Sequence, residues 1–185
     1  MQPAVRQAVE IPVIETERLR LRGYRMEDFR PCAQMWGDAV VTRYITGKPL
    51  TSEETWTKML RNAGMWLVLG YGFWVLEEKA TGEFVGELGF ADFQRIIEPS
   101  IEGIPEMGWV LMQHAHGKGY ATEATRAALE WGDKNFGEAR IVCLIQPGNE
   151  ASFRVADKLG FREWTATTYK EHEVIMLKRE RGNSP

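Results

Sequence analysis

Residues 106–136 run EMGWVLMQHAHGKGYATEATRAALEWGDKNF, and this stretch restricts the fold more than any other. Glu106 to Met112 reads as a strand. Behind it, a helix extends to about Phe136, with Tyr120, Ala124, Ala127, Ala128 and Trp131 spaced as one buried face. Gly117, Lys118 and Gly119 stand between the two. A strand that turns through glycines straight into an amphipathic helix implies a helix layer packed on a sheet layer.

The flanking sequence extends the pattern. Arg18 to Tyr24 alternates arginine with leucine, the period of a half-buried strand. Met26 to Gly37 reads as a helix. Thr51 and Glu54 form a capping box at the head of a helix running towards Leu69. Gly72 to Glu78 and Glu83 to Phe90 read as strands joined by a hairpin turn at Lys79 to Gly82. Residues 95–104 read as a loop. Ala139 to Gln146 is a strand broken by Pro147-Gly148, and Asn149 to Leu159 is a short helix stopped by Gly160. Strands at about 161–168 and 172–179 close the chain. These elements make a mixed α/β domain around one central sheet. A chain of 185 residues suffices for one such domain, read as 11–185 behind a loose arm at 1–10.

Charge and cysteines narrow the partners. The net charge of −3 does not supply the basic surface of a nucleic-acid binder, although it is compatible with a basic substrate. No apolar run reaches the roughly 18 residues of a membrane helix. The opening MQPAVRQAVEIPVIE lacks the apolar core of a signal peptide. Cys143, inside IVCLI, reads as a buried free thiol. His114 and His116 flank the turn without a third ligand, so no metal site is expected. The expected setting is cytoplasmic.

The glycine turn carries the chemistry. The first amides of a helix lack intrahelical acceptors, and the dipole there favours anions. Glycines allow close approach of backbone to phosphate. A nucleoside-triphosphate loop, GxxxxGK[ST], fails because Met112 stands at its first glycine and Gly119 follows Lys118. A dinucleotide fingerprint, GxGxxG, matches at Gly117 and Gly119 but has Thr122 in third place. A plain structural turn is the bland alternative.

A third pattern fits better. His116-Gly-Lys-Gly119-Tyr-Ala121 resembles the pyrophosphate loop [Q/R]xxGx[G/A] of the GNAT acetyltransferases, with His116 in place of Arg or Gln. Thr16–Arg22, Gly108–Leu111 with His116–Ala124, and Asn149–Ser152 with Lys158–Phe161 resemble, in order, the signatures of that family's ribosomal-protein N-acetyltransferase (Rim-type) branch. The resemblance covers about residues 12–180. It implies a mostly antiparallel mixed sheet flanked by helices, and acetyl transfer from acetyl-coenzyme A to a primary amine by direct attack through a tetrahedral intermediate. The acceptor would be a protein N-terminus or a small-molecule amine. A homodimer is implied by resemblance, and a non-catalytic acyl-coenzyme A sensor is the alternative.

The resemblance also assigns residues. Val110, Leu111, Met112, His116, Gly117, Lys118, Gly119, Tyr120, Ala121, Thr122 and Asn149 would bind the cofactor. Glu106 would be the base, with Glu87 in reserve. Ser152 would be the acid, because Ala156 stands where many relatives have a tyrosine. A base matters most for basic amines. Deprotonation at pH 7 costs about 1 kcal/mol for an α-amino group and about 4.6 kcal/mol for a lysine-like amine. Trp74 and Trp109 are expected in the core. Trp36, Tyr44 and Trp56 lie in the segment that covers the acceptor in the family, with core packing the commoner role for each. Tyr71 and Tyr169 gain no role from their setting, and Tyr120 none beyond its place in the loop.

Overall fold

Leucine alternating with arginine at residues 19–22 fixes the first long strand. In β2 (Leu19–Arg22), Leu19 and Leu21 are fully buried. A two-residue strand, β1 (Ile14–Glu15), pairs with it. The computed structural model describes residues 9–137 and 140–180, so the expected arm lies outside the described residues as far as residue 8.

The stretch expected as one helix at 26–37 divides. A tight 3-10 turn covers Met26–Asp28, and α1 follows over Phe29–Trp36. Asp28 is held where the two meet, accepting from Arg22 at 2.8 and 2.9 Å and from the Arg25 amide at 2.7 Å. A four-residue helix capped by Asp38, α2 (Ala39–Thr42), is too short to show a period. In α3 (Ser52–Leu69) the capping box forms as expected. Thr51 accepts from the Glu54 amide at 3.2 Å, and Glu54 accepts from the Thr51 amide at 2.8 Å.

The hairpin forms between β3 (Phe73–Glu78) and β4 (Phe84–Ala91). Next come β5 (Glu106–Leu111), α4 (Tyr120–Asn135), β6 (Ile141–Ile145), α5 (Glu150–Lys158), β7 (Arg162–Tyr169) and β8 (His172–Arg179). Ala139, the expected start of β6, lies outside the described residues. Among the described residues eight strands form one sheet, ordered β1-β2-β3-β4-β5-β6-β8-β7. Neighbours are antiparallel except β5 and β6, which α4 links as a parallel crossover. The core lies between α4 and the sheet. Trp66, Trp74 and Trp131 meet edge-on there, with ring centroids 4.7–5.5 Å apart. Both cysteines are free and buried.

One feature of this sheet positions the site. β4 and β5 pair along six residues, but β5 and β6 are in register at one pair, Glu106 with Val142. Beyond it the two strands part, and Trp109 and Val110 on one side face Leu144 and Ile145 on the other across open space.

Candidate active site

Two clefts open where β5 and β6 separate, one of about 550 Å³ and one of about 690 Å³. Tyr44, Ile45, Trp109, Val110, Asn149 and Ser152 wall both, so the clefts are continuous.

The glycine turn forms the far wall of the first. Gly117 and Gly119 have φ of +75° and +82°, a conformation that costs a side-chain-bearing residue about 1–2 kcal/mol. The first α4 amide with a helical acceptor is Glu123, which donates to the Gly119 carbonyl at 3.1 Å. The amides ahead of it are left over by the helix, and Gly117, Gly119, Tyr120, Ala121 and Thr122 line the cleft. Arg154 and Lys158, one turn apart on α5, stand at the same cleft, and among the described residues no aspartate or glutamate lines it. Spare amides at the positive end of a helix, two cations and no carboxylate fit a pyrophosphate.

The turn is braced from a distance. Arg18 donates to the Lys118 carbonyl at 2.9 Å, pairs with Glu123 at 2.6 Å and lies 4.7 Å over the Tyr120 ring. Thr16 donates to Glu123 at 2.7 Å. A ring nitrogen of His116 lies 3.0 Å from the Leu111 carbonyl, tying the end of β5 to the turn.

Most of the expected cofactor residues come together here. Val110, Leu111, His116, Gly117, Gly119, Tyr120, Ala121, Thr122 and Asn149 all line the first cleft. Met112 and Lys118 do not. Met112 is buried, its amide donating to Val85 at 2.9 Å, and the Lys118 ammonium lies 5.7 Å from the Tyr120 ring centroid. Asn149 caps α5, accepting from the Ser152 amide at 3.3 Å. Ser152 faces both clefts, while Ala156, one turn on, is fully buried.

The second cleft holds Glu106. Its two oxygens accept from Arg95 at 2.6 and 2.7 Å. Glu87 lines neither cleft; it is buried, accepting from Tyr24 at 2.9 Å, Trp36 at 3.2 Å and Asn62 at 3.4 Å. Trp36 belongs to the core, yet its ring carries the Lys58 ammonium at 4.1 Å, and both residues line the cleft. Burial pushes the Lys58 amine down to about 8, against a weaker upward pull from Glu87.

The aromatics divide differently from expectation. Trp109, expected in the core, is half-buried and walls both clefts because β5 has lost its neighbour there. Tyr169, given no role, lines the second cleft. Trp56 packs on Phe29 at 5.1 Å and lines neither. Sequence reading also missed Arg18, Lys58, Arg61, Arg95, Arg154 and Lys158. The i, i+4 pair on α5 and the i, i+3 pair on α3 were visible as spacings. Among the described residues no three His, Cys, Asp or Glu side chains gather as a metal-binding group.

The family model described as "Acetyltransferase (GNAT) domain" matches residues 18–162. The chain belongs to the GNAT acetyltransferases. It is 37% identical over 172 residues to the uncharacterised protein YkkB of Bacillus subtilis (strain 168), covering 88% of this chain and 91% of that one. An acetyltransferase structure from Agrobacterium tumefaciens strain C58 is 25% identical with a TM-score of 0.78, covering 91% of this chain and 94% of the other. RimL, a ribosomal L7/L12 alpha-N-protein acetyltransferase solved with coenzyme A, is 20% identical with a TM-score of 0.73, covering 91% and 98%; that likeness is one of fold. The protein is thus an acetyl-coenzyme A-dependent acetyltransferase of GNAT fold.

Proposed function

We propose that this GNAT enzyme acetylates a primary amine, a protein N-terminus or a small molecule, in the manner of the Rim-type branch. The observation that carries the reading is the meeting of the two clefts. One has free helix-start amides and no acid, the other holds a carboxylate, and Ser152 stands at their junction. Acetyl-coenzyme A supplies the acetyl thioester. Gly117 and Gly119–Thr122 hold its pyrophosphate, with Arg154 and Lys158 neutralising phosphate charge. The unpaired edge of β5 at Val110 and Leu111 offers backbone groups to the amide-bearing arm.

The amine enters through the second cleft. Glu106 receives the amine proton, directly or through water, on the lone pairs that Arg95 leaves free. The amine nitrogen bonds to the acetyl carbon and the carbon–sulfur bond breaks. Ser152 hands a proton to the departing sulfur and takes one back from solvent, while Glu106 releases the amine proton to solvent. The fold likeness to RimL and the three ordered sequence signatures support the Rim-type branch.

Two measurements test this. Acetyl-coenzyme A at 100 times its dissociation constant should add about 2.7 kcal/mol of stability, while ATP and NAD add none. Glu106→Gln should lower turnover most at low pH and leave cofactor affinity intact. Ser152→Ala should lower turnover throughout. An unchanged pH–rate profile in the first variant, or unchanged turnover in the second, removes that residue from the mechanism.

A further inference from the structure

The second cleft is positively charged in a chain whose net charge is −3. Glu106 is the one acidic residue among its lining residues, and Arg95 engages both its oxygens. Among the described residues Lys48, Lys58, Arg61 and Lys170 line the cleft with no salt bridge, although the buried Glu87 acts on Lys58 and Arg61 from behind the wall. Lys58 and Arg61 are the informative pair. They lie three residues apart on α3, so both reach one ligand group. Lys58 is half-buried and rests on the Trp36 ring. Arg61 sits at the rim, 5.1 Å from the Phe93 ring, and donates to the neighbouring Asn62 at 3.4 Å. Among the described residues neither makes a salt bridge.

Two cations at a cleft whose one lining carboxylate among the described residues, Glu106, is already held by Arg95 mark a place where the ligand supplies the charge. A polyamine or another polycationic amine would meet repulsion from both. Resting on the acetyl-transfer reading above, we infer that the acceptor carries an anionic group, a carboxylate or an equivalent oxyanion, beside its reactive amine, and that Lys58 and Arg61 bind it. The amine then lies towards Glu106 and Ser152 while the anion is held on α3. Such an anion belongs either to a free amino acid or to an acidic residue at a peptide N-terminus.

The test uses matched acceptor pairs that differ in charge and little in shape. β-Alanine is compared with β-alaninamide, and Asp-Ala-amide with Asn-Ala-amide; spermidine is the polycationic control. Acetyl-coenzyme A affinity is measured alongside for the wild type, Lys58→Met and Arg61→Gln. The expected result is at least about tenfold higher kcat/KM for the anionic member of one pair. Either substitution should raise KM for that member about tenfold and leave cofactor affinity unchanged. A preference within the first pair identifies a free amino acid, and within the second an acidic N-terminus. Equal or better use of the amides or of spermidine overturns the inference and leaves the acetyltransferase reading standing. So does a preference that survives both substitutions. Cofactor binding with no acceptor consumed also overturns the inference, and favours the non-catalytic sensor over acetyl transfer. Failure to bind acetyl-coenzyme A would instead bring down the assignment of the first cleft, and this inference with it.

Discussion

Replacing Lys58 with methionine should stabilise the free enzyme at neutral pH. Burial is the largest influence on this amine. Arg61 and Arg95 push in the same direction, while Glu87 and, more weakly, Cys32 oppose them. The outcome is a descent from 10.5 to about 8. One pH unit corresponds to about 1.4 kcal/mol, so the charged form costs roughly 3 kcal/mol at most, and partial solvent access reduces this to about 1–3 kcal/mol. The sign follows from the direction. A lysine whose folded value is depressed destabilises the fold fully below about pH 8, and the cost fades as pH rises towards 10.5. Methionine keeps most of the stem's packing and carries no charge. The variant should therefore melt about 2–12 °C higher at pH 7, since 1 kcal/mol shifts a domain of this size by about 2–4 °C. The assay is thermal unfolding of both proteins at pH 6.5, 7.5, 9 and 10.5, read as the difference so that other titrating groups cancel. The gap should be constant to about pH 7.5 and shrink above it. A variant less stable than wild type at pH 7, or a gap that does not change with pH, refutes the reasoning.

Two further outcomes follow from buried and bridging ion pairs. Arg18→Ala should weaken acetyl-coenzyme A binding about tenfold by calorimetric titration while altering stability by less than about 1 kcal/mol, because Arg18 is largely exposed but holds the Lys118 carbonyl and Glu123; unchanged affinity would mean that the turn needs no brace. Asp28→Ala leaves the buried Arg22 guanidinium with Glu77 as its remaining acidic partner and should cost about 3–5 kcal/mol, seen as a melting point lower by roughly 10 °C. A loss under 2 °C in that variant would show that water replaces the carboxylate.

The glycine cradle of the first cleft was legible because its parts are continuous in sequence. Residues 108–124 hold the end of β5, the left-handed glycines and the start of α4, and short-range geometry turns that order of residue types into a cradle. The exceptions, Met112 and Lys118, were included for their position in the motif; their side chains point where strand pairing and the outer face of the turn direct them. The bracing by Arg18, a hundred residues from Lys118, had no local signal. Dividing the helix expected at 26–37 likewise depends on a tertiary event, since Asp28 is held by an arginine of β2.

The second cleft was nearly invisible for a physical reason. Its walls come from α1, α3, the loop after β4, β5, β6 and β7, and they meet because β5 and β6 stop pairing after one residue pair. A hydrophobic period identifies the buried face of α3 through Met59, Met65 and Trp66 and assigns Lys58 and Arg61 to the solvated face by default. In the folded protein part of that polar face borders a cavity. Its charges then lack the water that a polar face normally has, as the lowered value of Lys58 records. The parting of two strands thus turns an ordinary amphipathic helix into a binding wall. It also separates the two recognition tasks. Under the proposed function the cradle reads a phosphate through backbone amides, which substitution of side chains barely alters. Under the further inference the acceptor wall reads charge through side chains at positions 58 and 61, which can change without disturbing the α3 core face. On this arrangement, acceptor choice can diverge among relatives while the donor site stays constant.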